Sequence, residues 1–186
     1  MADTGKPSEQ GVFNVSIKDP VERIQAYIDG YRLDPHYAGW DVLLMRHTKV
    51  ISARKTNAVN TGAEAFVVFE IEVLPEMCSS MGNGHGGFIA TLVDNTTTMA
   101  AAPLSEEGFW DFGGLSRSLS ITYLRPIPQG ITIVSENMVR SVGKRLTAIQ
   151  CIMKDKATGK ILALAEHNKA ALDASVRRKA PALFKI

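Results

Sequence analysis

The chain has 186 residues, 45% apolar and 22% charged, with a formal net charge of +2. That length supports one domain with a core that needs no disulfide staples, and the composition is that of an ordinary soluble globular protein. The small charge gives no reason to expect nucleic acid, and Cys78 and Cys151 form neither a CxxC pair nor a zinc spacing, so both read as reduced, packed thiols of an intracellular protein.

Residues 1–19 are polar and pattern-poor and read as a flexible tail, without the apolar core of a signal peptide and with acids that a transit peptide avoids. Asp19-Pro20 starts a helix, in which Val21, Ile24, Ile28 and Tyr31 recur at helical spacing until Asp34-Pro35 stops it. From Asp41 the pattern turns strand-like. Val42, Leu44, Val50 and Ile51 suggest one strand or two short pieces, and Phe66, Val68, Phe69, Ile71 and Val73 a clearer one, joined as a hairpin through the polar stretch 57–62.

Next comes Asn83-Gly84-His85-Gly86-Gly87, opening directly onto a helix whose Phe88, Leu92, Thr96 and Met99 share a face that Ile89 and Val93 broaden. Asp94 falls on the opposite side, among Gly87, Ala90, Thr98 and Ala101. The apolar stretch Phe88–Pro103 is broken by Asp94 and a threonine cluster, short of the roughly 20 residues that span a membrane. Ser105–Gly114 is a loop carrying Phe109, Trp110 and Phe112, which either line a pocket or pin the loop. Four strands follow, at about 116–124, 131–142, 145–154 and 160–171, and residues 173–186 form a basic tail. The order of helix, two strands, long helix and four strands is an α+β layer architecture, with an antiparallel sheet curling around one segregated helix over residues 20–172.

The chemistry concentrates at the glycine–helix junction. The first amides of a helix lack intrahelical acceptors and carry the positive end of its dipole, so a polarised carbonyl oxygen can rest there. A carboxylate nearby that directs water completes the outline of a hydrolase acting on an activated acyl group. A solitary acid such as Asp94 in so apolar a helix is expensive unless it has a partner or a task. His85 reads equally as a helix cap. It has no coherent ligand spacing with His36, His47 or His167, so no metal is expected. Gly86 and Gly87 serve either as bare-amide donors or as loop residues, and Ser116 either positions water or is a routine strand serine; no GxSxG elbow marks it as a nucleophile.

His85-Gly86-Gly87 with Ala90-Thr91-Leu92-Val93-Asp94-Asn95, then Ile121-Thr122-Tyr123-Leu124-Arg125-Pro126 and Ala157-Thr158-Gly159-Lys160, resemble the hotdog-fold acyl-CoA thioesterases of the phenylacetate-degradation and thioesterase-superfamily-member type. The resemblance implies a hotdog fold with an extra N-terminal helix. It also implies edge-to-edge homodimers assembling to tetramers, and an active site between subunits. There the amide of Gly86 would polarise the thioester carbonyl, with His85 beside it. Asp94 from the facing subunit would act as base or nucleophile, and Ser116 would hold the water. The family commonly has an amide side chain six residues before the histidine; here that residue is Ser79, and Asn83 either substitutes for it or serves only the turn.

No cofactor is expected beyond coenzyme A as part of the substrate. Its phosphates would call on Lys144 and Arg145 at the turn after Gly143, with Arg125, Arg140 and Lys169 as further candidates, each also readable as solvated surface charge. The reading is therefore acyl-CoA hydrolysis in the cytoplasm, with mitochondria as the alternative compartment and no membrane insertion. A non-catalytic acyl-CoA-binding or regulatory hotdog module is the second reading, and a hydratase of the same fold, whose motif is absent, the last.

Overall fold

Asp19 caps the first helix as its sequence predicts: its carboxylate accepts the Glu22 amide at 2.9 Å, and Pro20 opens α1 (Pro20–Arg32). The computed structural model describes residues 11–172, so residues 1–10 and the basic segment 173–186 lie outside the described residues. Within the stretch 11–19, read as part of a tail, Phe13 is packed against the domain. Phe13 is 1% exposed, stacks on Tyr27 with ring centroids 4.8 Å apart, and donates its amide to Asp111 O at 2.7 Å. One large apolar side chain with a waiting aromatic partner is enough to order so short a segment.

The first strand reading needs correction. Val42–His47 is a short helix, α2, and β1 spans Lys49–Lys55. Leu44 and Met45 are both buried; adjacent residues point to opposite faces of a strand but can share one side of a helix, and Leu-Leu-Met-Arg are good helix formers. The hairpin to β2 (Ala65–Glu72) does form, with a single helical turn, α3 (Ala58–Thr61), in its connection. Along β2 the inward set is Ala65, Val67, Phe69 and Ile71, while Phe66 faces out beneath the Arg54 guanidinium.

The long helix α4 runs Gly86–Met99, followed by a 3-10 turn at Ala102–Leu104 and then β3 (Leu115–Tyr123), β4 (Thr132–Val142), β5 (Leu146–Asp155) and β6 (Ile161–Ala170). All strands pair antiparallel in the order β1-β2-β4-β5-β6-β3. The sheet curls around α4, whose Phe88, Ile89, Leu92 and Val93 pack on Ile71, Ile133, Met153 and Ala163. A second core joins Phe13, Ile24, Tyr27 and Ile28 to Phe69, Met99, Val139 and Ile149. Apart from α2 and the single turn α3, the order of elements is that expected, and so is the α+β hotdog architecture. Among the described residues no helix is long and apolar enough to cross a membrane.

Candidate active site

His85 is the N-cap of α4: its Nδ1 accepts the Gly87 amide at 2.9 Å, satisfying one of the orphan donors of the first turn. With Nδ1 accepting, the neutral ring carries its proton on Nε2. The cap reading thus holds structurally, and the Gly86 amide stands next to it at an exposed helix start. Tyr123 Oη donates to Gly86 O at 3.0 Å, tying the junction to the end of β3.

Ser79 and Asn83 belong to a tight turn before this junction. The Ser79 amide donates to Asn83 O at 2.7 Å, Asn83 Nδ2 donates to Met81 O at 3.2 Å, and Ser79 Oγ accepts from the Met81 amide at 3.4 Å. Asn83 thus braces the turn through one of the two hydrogens on Nδ2.

Asp94, two turns further along α4, is met by Ser116 of β3 and by two residues of β6. Ser116 Oγ donates to Asp94 Oδ1 at 2.7 Å. A β-bulge makes this contact possible: the β3–β6 register shifts between Ser116 and Ser118. Beyond the bulge Leu119 and Ile121 face the core opposite His167 and Ala165, while before it Ser116 faces inward opposite Lys169. Strict alternation would have put Ser116 on the outer face with Ser118 and Ser120. Asp94 itself stays accessible, with its side chain 43% exposed.

Lys169, offered by the sequence as a surface cation for phosphate, is instead 2% exposed and belongs to this cluster. Its Nζ donates to Thr98 Oγ1 at 2.8 Å and to Ser116 Oγ at 3.4 Å. Burial pulls the ammonium down to about pKa 8, with Asp94 opposing that shift. His167, which sequence reasoning missed as a site residue, is fully buried. Its Nδ1 lies 2.6 Å from Thr97 Oγ1 and its Nε2 3.3 Å from Asp94 Oδ1, out of hydrogen-bond alignment. Burial, and next Lys169, lower its pKa to about 4 against the pull of Asp94, so the ring is neutral at pH 7. The available signal was alternation: Ala165, His167 and Lys169 repeat every second residue, which puts two polar side chains on the inner face of an apolar strand.

This cluster opens onto a cavity of about 230 Å3 between α4 and the N-terminal helices. Asp94, Ser116, Thr98 and Lys169 form one wall; Tyr27, Met45 and Met99 form the other, with Asp41 and Asn95 between. Asn95 Nδ2 donates to Asp41 Oδ2 at 2.9 Å and Tyr37 Oη to Oδ1, so that carboxylate is held. Of the aromatic loop only Gly114 reaches this lining; Phe109, Trp110 and Phe112 do not. Trp110 is buried, adopts a positive φ of 50°, and donates Nε1 to Gly143 O at 2.7 Å, so it pins the loop.

The remaining cations lie elsewhere. Lys144 and Arg145 are exposed at the β4–β5 turn, Arg125 donates to Ile161 O, and Arg140 donates to Gln150 and to Gly62 O. Burial raises the Cys151 thiol to about 12, and Cys78 is half-buried with Sγ donating to Leu74 O. Both behave as packing thiols.

Comparison with known proteins agrees with this geometry. Residues 81–162 match the family model described as Thioesterase superfamily. Over 109 residues, 59% of this chain and 75% of the relative, the sequence is 38% identical to acyl-coenzyme A thioesterase 13 of Homo sapiens. The crystal structure of zebrafish thioesterase superfamily member 2 superposes with a TM-score of 0.66 at 28% identity, covering 80% of this chain and 98% of that one. A Streptococcus mutans UA159 protein bound to acetyl CoA shares the fold at 20% identity, with a TM-score of 0.54 over 67% of this chain and 88% of its own. The capped glycine–helix junction, the serine-bonded acid of the central helix and these likenesses together establish that the chain belongs to the thioesterase superfamily, with the hotdog fold.

Proposed function

We propose that this protein hydrolyses acyl-CoA thioesters to the free acid and CoA, in a site that two copies share. The observation that carries this is the Asp94–Ser116 pair opening onto a cavity of about 230 Å3, in a chain whose relatives bear acyl-coenzyme A thioesterase names. Gly86 and Asp94 are eight residues apart, about 12 Å along one helix. One carbonyl cannot rest on that amide and also meet the carboxylate of the same chain, so the reaction calls for a second copy. The outer edge of β3, unpaired among the described residues, suits such pairing, as a homodimer and then a tetramer.

In this scheme the thioester oxygen accepts from the Gly86 amide of one copy, with His85 holding the turn. Asp94 of the other copy takes a proton from water. Because Ser116 occupies Oδ1, Oδ2 is the oxygen left for that water. The water oxygen attacks the thioester carbon, the oxyanion forms against the helix start, and its collapse expels CoA as thiolate, which needs no strong general acid. Lys144, Arg145 and Arg125 are the cations offered to the CoA phosphates.

Asp94→Asn keeps the shape and removes the base. Thiol release from acyl-CoAs should fall about 10³-fold with an unchanged far-UV circular dichroism spectrum; near-native turnover would reject the mechanism. The second reading, an acyl-CoA-binding module, draws on Ser79, without an amide side chain, standing six residues before His85. Binding without thiol release across chain lengths would favour it.

A further inference from the structure

We infer that Lys169 is a positioning residue for the Asp94–Ser116 pair, its ammonium setting the direction of the hydrogen bonds that Ser116 and Thr98 make to the acid. This rests on the hydrolysis reading above. An ammonium can only donate. Nζ therefore donates to Ser116 Oγ and to Thr98 Oγ1, and each hydroxyl must turn its own proton elsewhere. Thr98 turns it to Asp94 O at 2.6 Å, and Ser116 turns it to Asp94 Oδ1 at 2.7 Å. The carboxylate is thus held at one oxygen by a donor that cannot reverse, and the other oxygen is free for water.

The strands enforce this arrangement. Ser116 and Lys169 are direct partners across β3 and β6, and on its other side Lys169 pairs with Thr147 of β5. A long cationic side chain on the inner face of a central strand has only the helix side to reach. The titratable groups facing it are Asp94 from α4, the neutral His167 on β6 itself, and Asp41 and Tyr27 across the cavity. Burial brings the ammonium's titration to about 8. Once deprotonated, the amine can accept, the Ser116 proton can turn from Asp94 to nitrogen, and the acid loses its orientation.

The test is thiol release from an acyl-CoA between pH 6 and 10, with the uncatalysed rate subtracted, for the full chain and three variants. Wild type should lose kcat as pH rises through about 8. Lys169→Met should lower kcat by up to about 100-fold with little change in KM, as expected for lost orientation, and should show no alkaline fall. Lys169→Arg keeps its proton over this range, so it should also lack the fall, and it serves if the Met variant does not fold. Thr98→Val removes an acceptor of the charged form and should move the fall to lower pH. An unmoved alkaline fall in both Lys169 variants, or an effect of Lys169→Met on KM alone, overturns the inference. Absence of turnover by wild type on every acyl-CoA would instead sink the hydrolysis reading beneath it.

Discussion

Keeping an ammonium at 2% exposure works against folding, because the charge gives up water for two hydroxyls and a carboxylate that is itself half in solvent. The sign follows from linkage. The folded Lys169 titrates near 8 and the unfolded side chain near 10.5, so below pH 8 the unfolded state holds this proton more tightly. The penalty, on the order of a few kcal/mol, is in full force at pH 7 and is relieved as pH rises from 8 towards 10.5. Lys169→Met should therefore raise Tm at pH 7 while depressing turnover, and its Tm advantage over wild type should shrink by pH 10, as thermal melts at the two pH values would show. A variant that melts lower than wild type at pH 7 would mean that the lysine is a net structural support. A stability cost kept at one buried residue is what a site under functional constraint looks like.

At the scale of elements, the loop-to-strand passage before β3 decides where Ser116 points. Gly114 has φ of 72°, and a Cβ there would stand 2.7 Å from both Ala170 O and a carbon of the Trp110 ring. Backbone conformation and close approach both demand glycine at this position. Gly114→Ala should lower stability by about 2 kcal/mol or more, seen as a drop of roughly 5 °C in Tm. It should reduce thiol release by more than that loss explains, because Ser116 lies two residues on. A neutral outcome in both measurements would show that the passage tolerates another backbone path. Similar logic explains α2: a helix lets the adjacent residues Leu44 and Met45 both be buried, Leu44 in the core around α4 and Met45 in the second core.

For the whole molecule, β3 is an outer strand whose Leu115 and Tyr123 are 56% and 52% exposed. Among the described residues no strand pairs with this outer edge, and such an edge is a template for pairing that proteins can blunt with charge; here the exposed charge on the strand is Arg117 alone. If the edge pairs with its own copy, residues of its outer face meet their equivalents. Ser118→Lys combined with Ser120→Lys places like charges there. The expected outcome is a fall to monomer mass in light scattering together with loss of thiol release, since Gly86 and Asp94 of one chain are too far apart to act alone. A monomeric variant that still turns over substrate would overturn the shared site.

Much of this protein follows from local pattern alone. The 3.6-residue period of Phe88, Leu92 and Thr96, the glycines before it and the solitary Asp94 specify a central helix and its acid, because helix and strand periodicities and capping are properties of a few neighbouring residues. Apart from α2, read as strand, and the single turn α3, the order of helices and strands followed in the same way. What local pattern could not supply was the partnering of that acid. The bulge turning Ser116 inward, the pairing that sets Lys169 beside it and the burial of His167 against Thr97 join residues 22 to 71 positions apart. Such contacts exist only once strand register is set, and register is chosen by the whole sheet closing around α4.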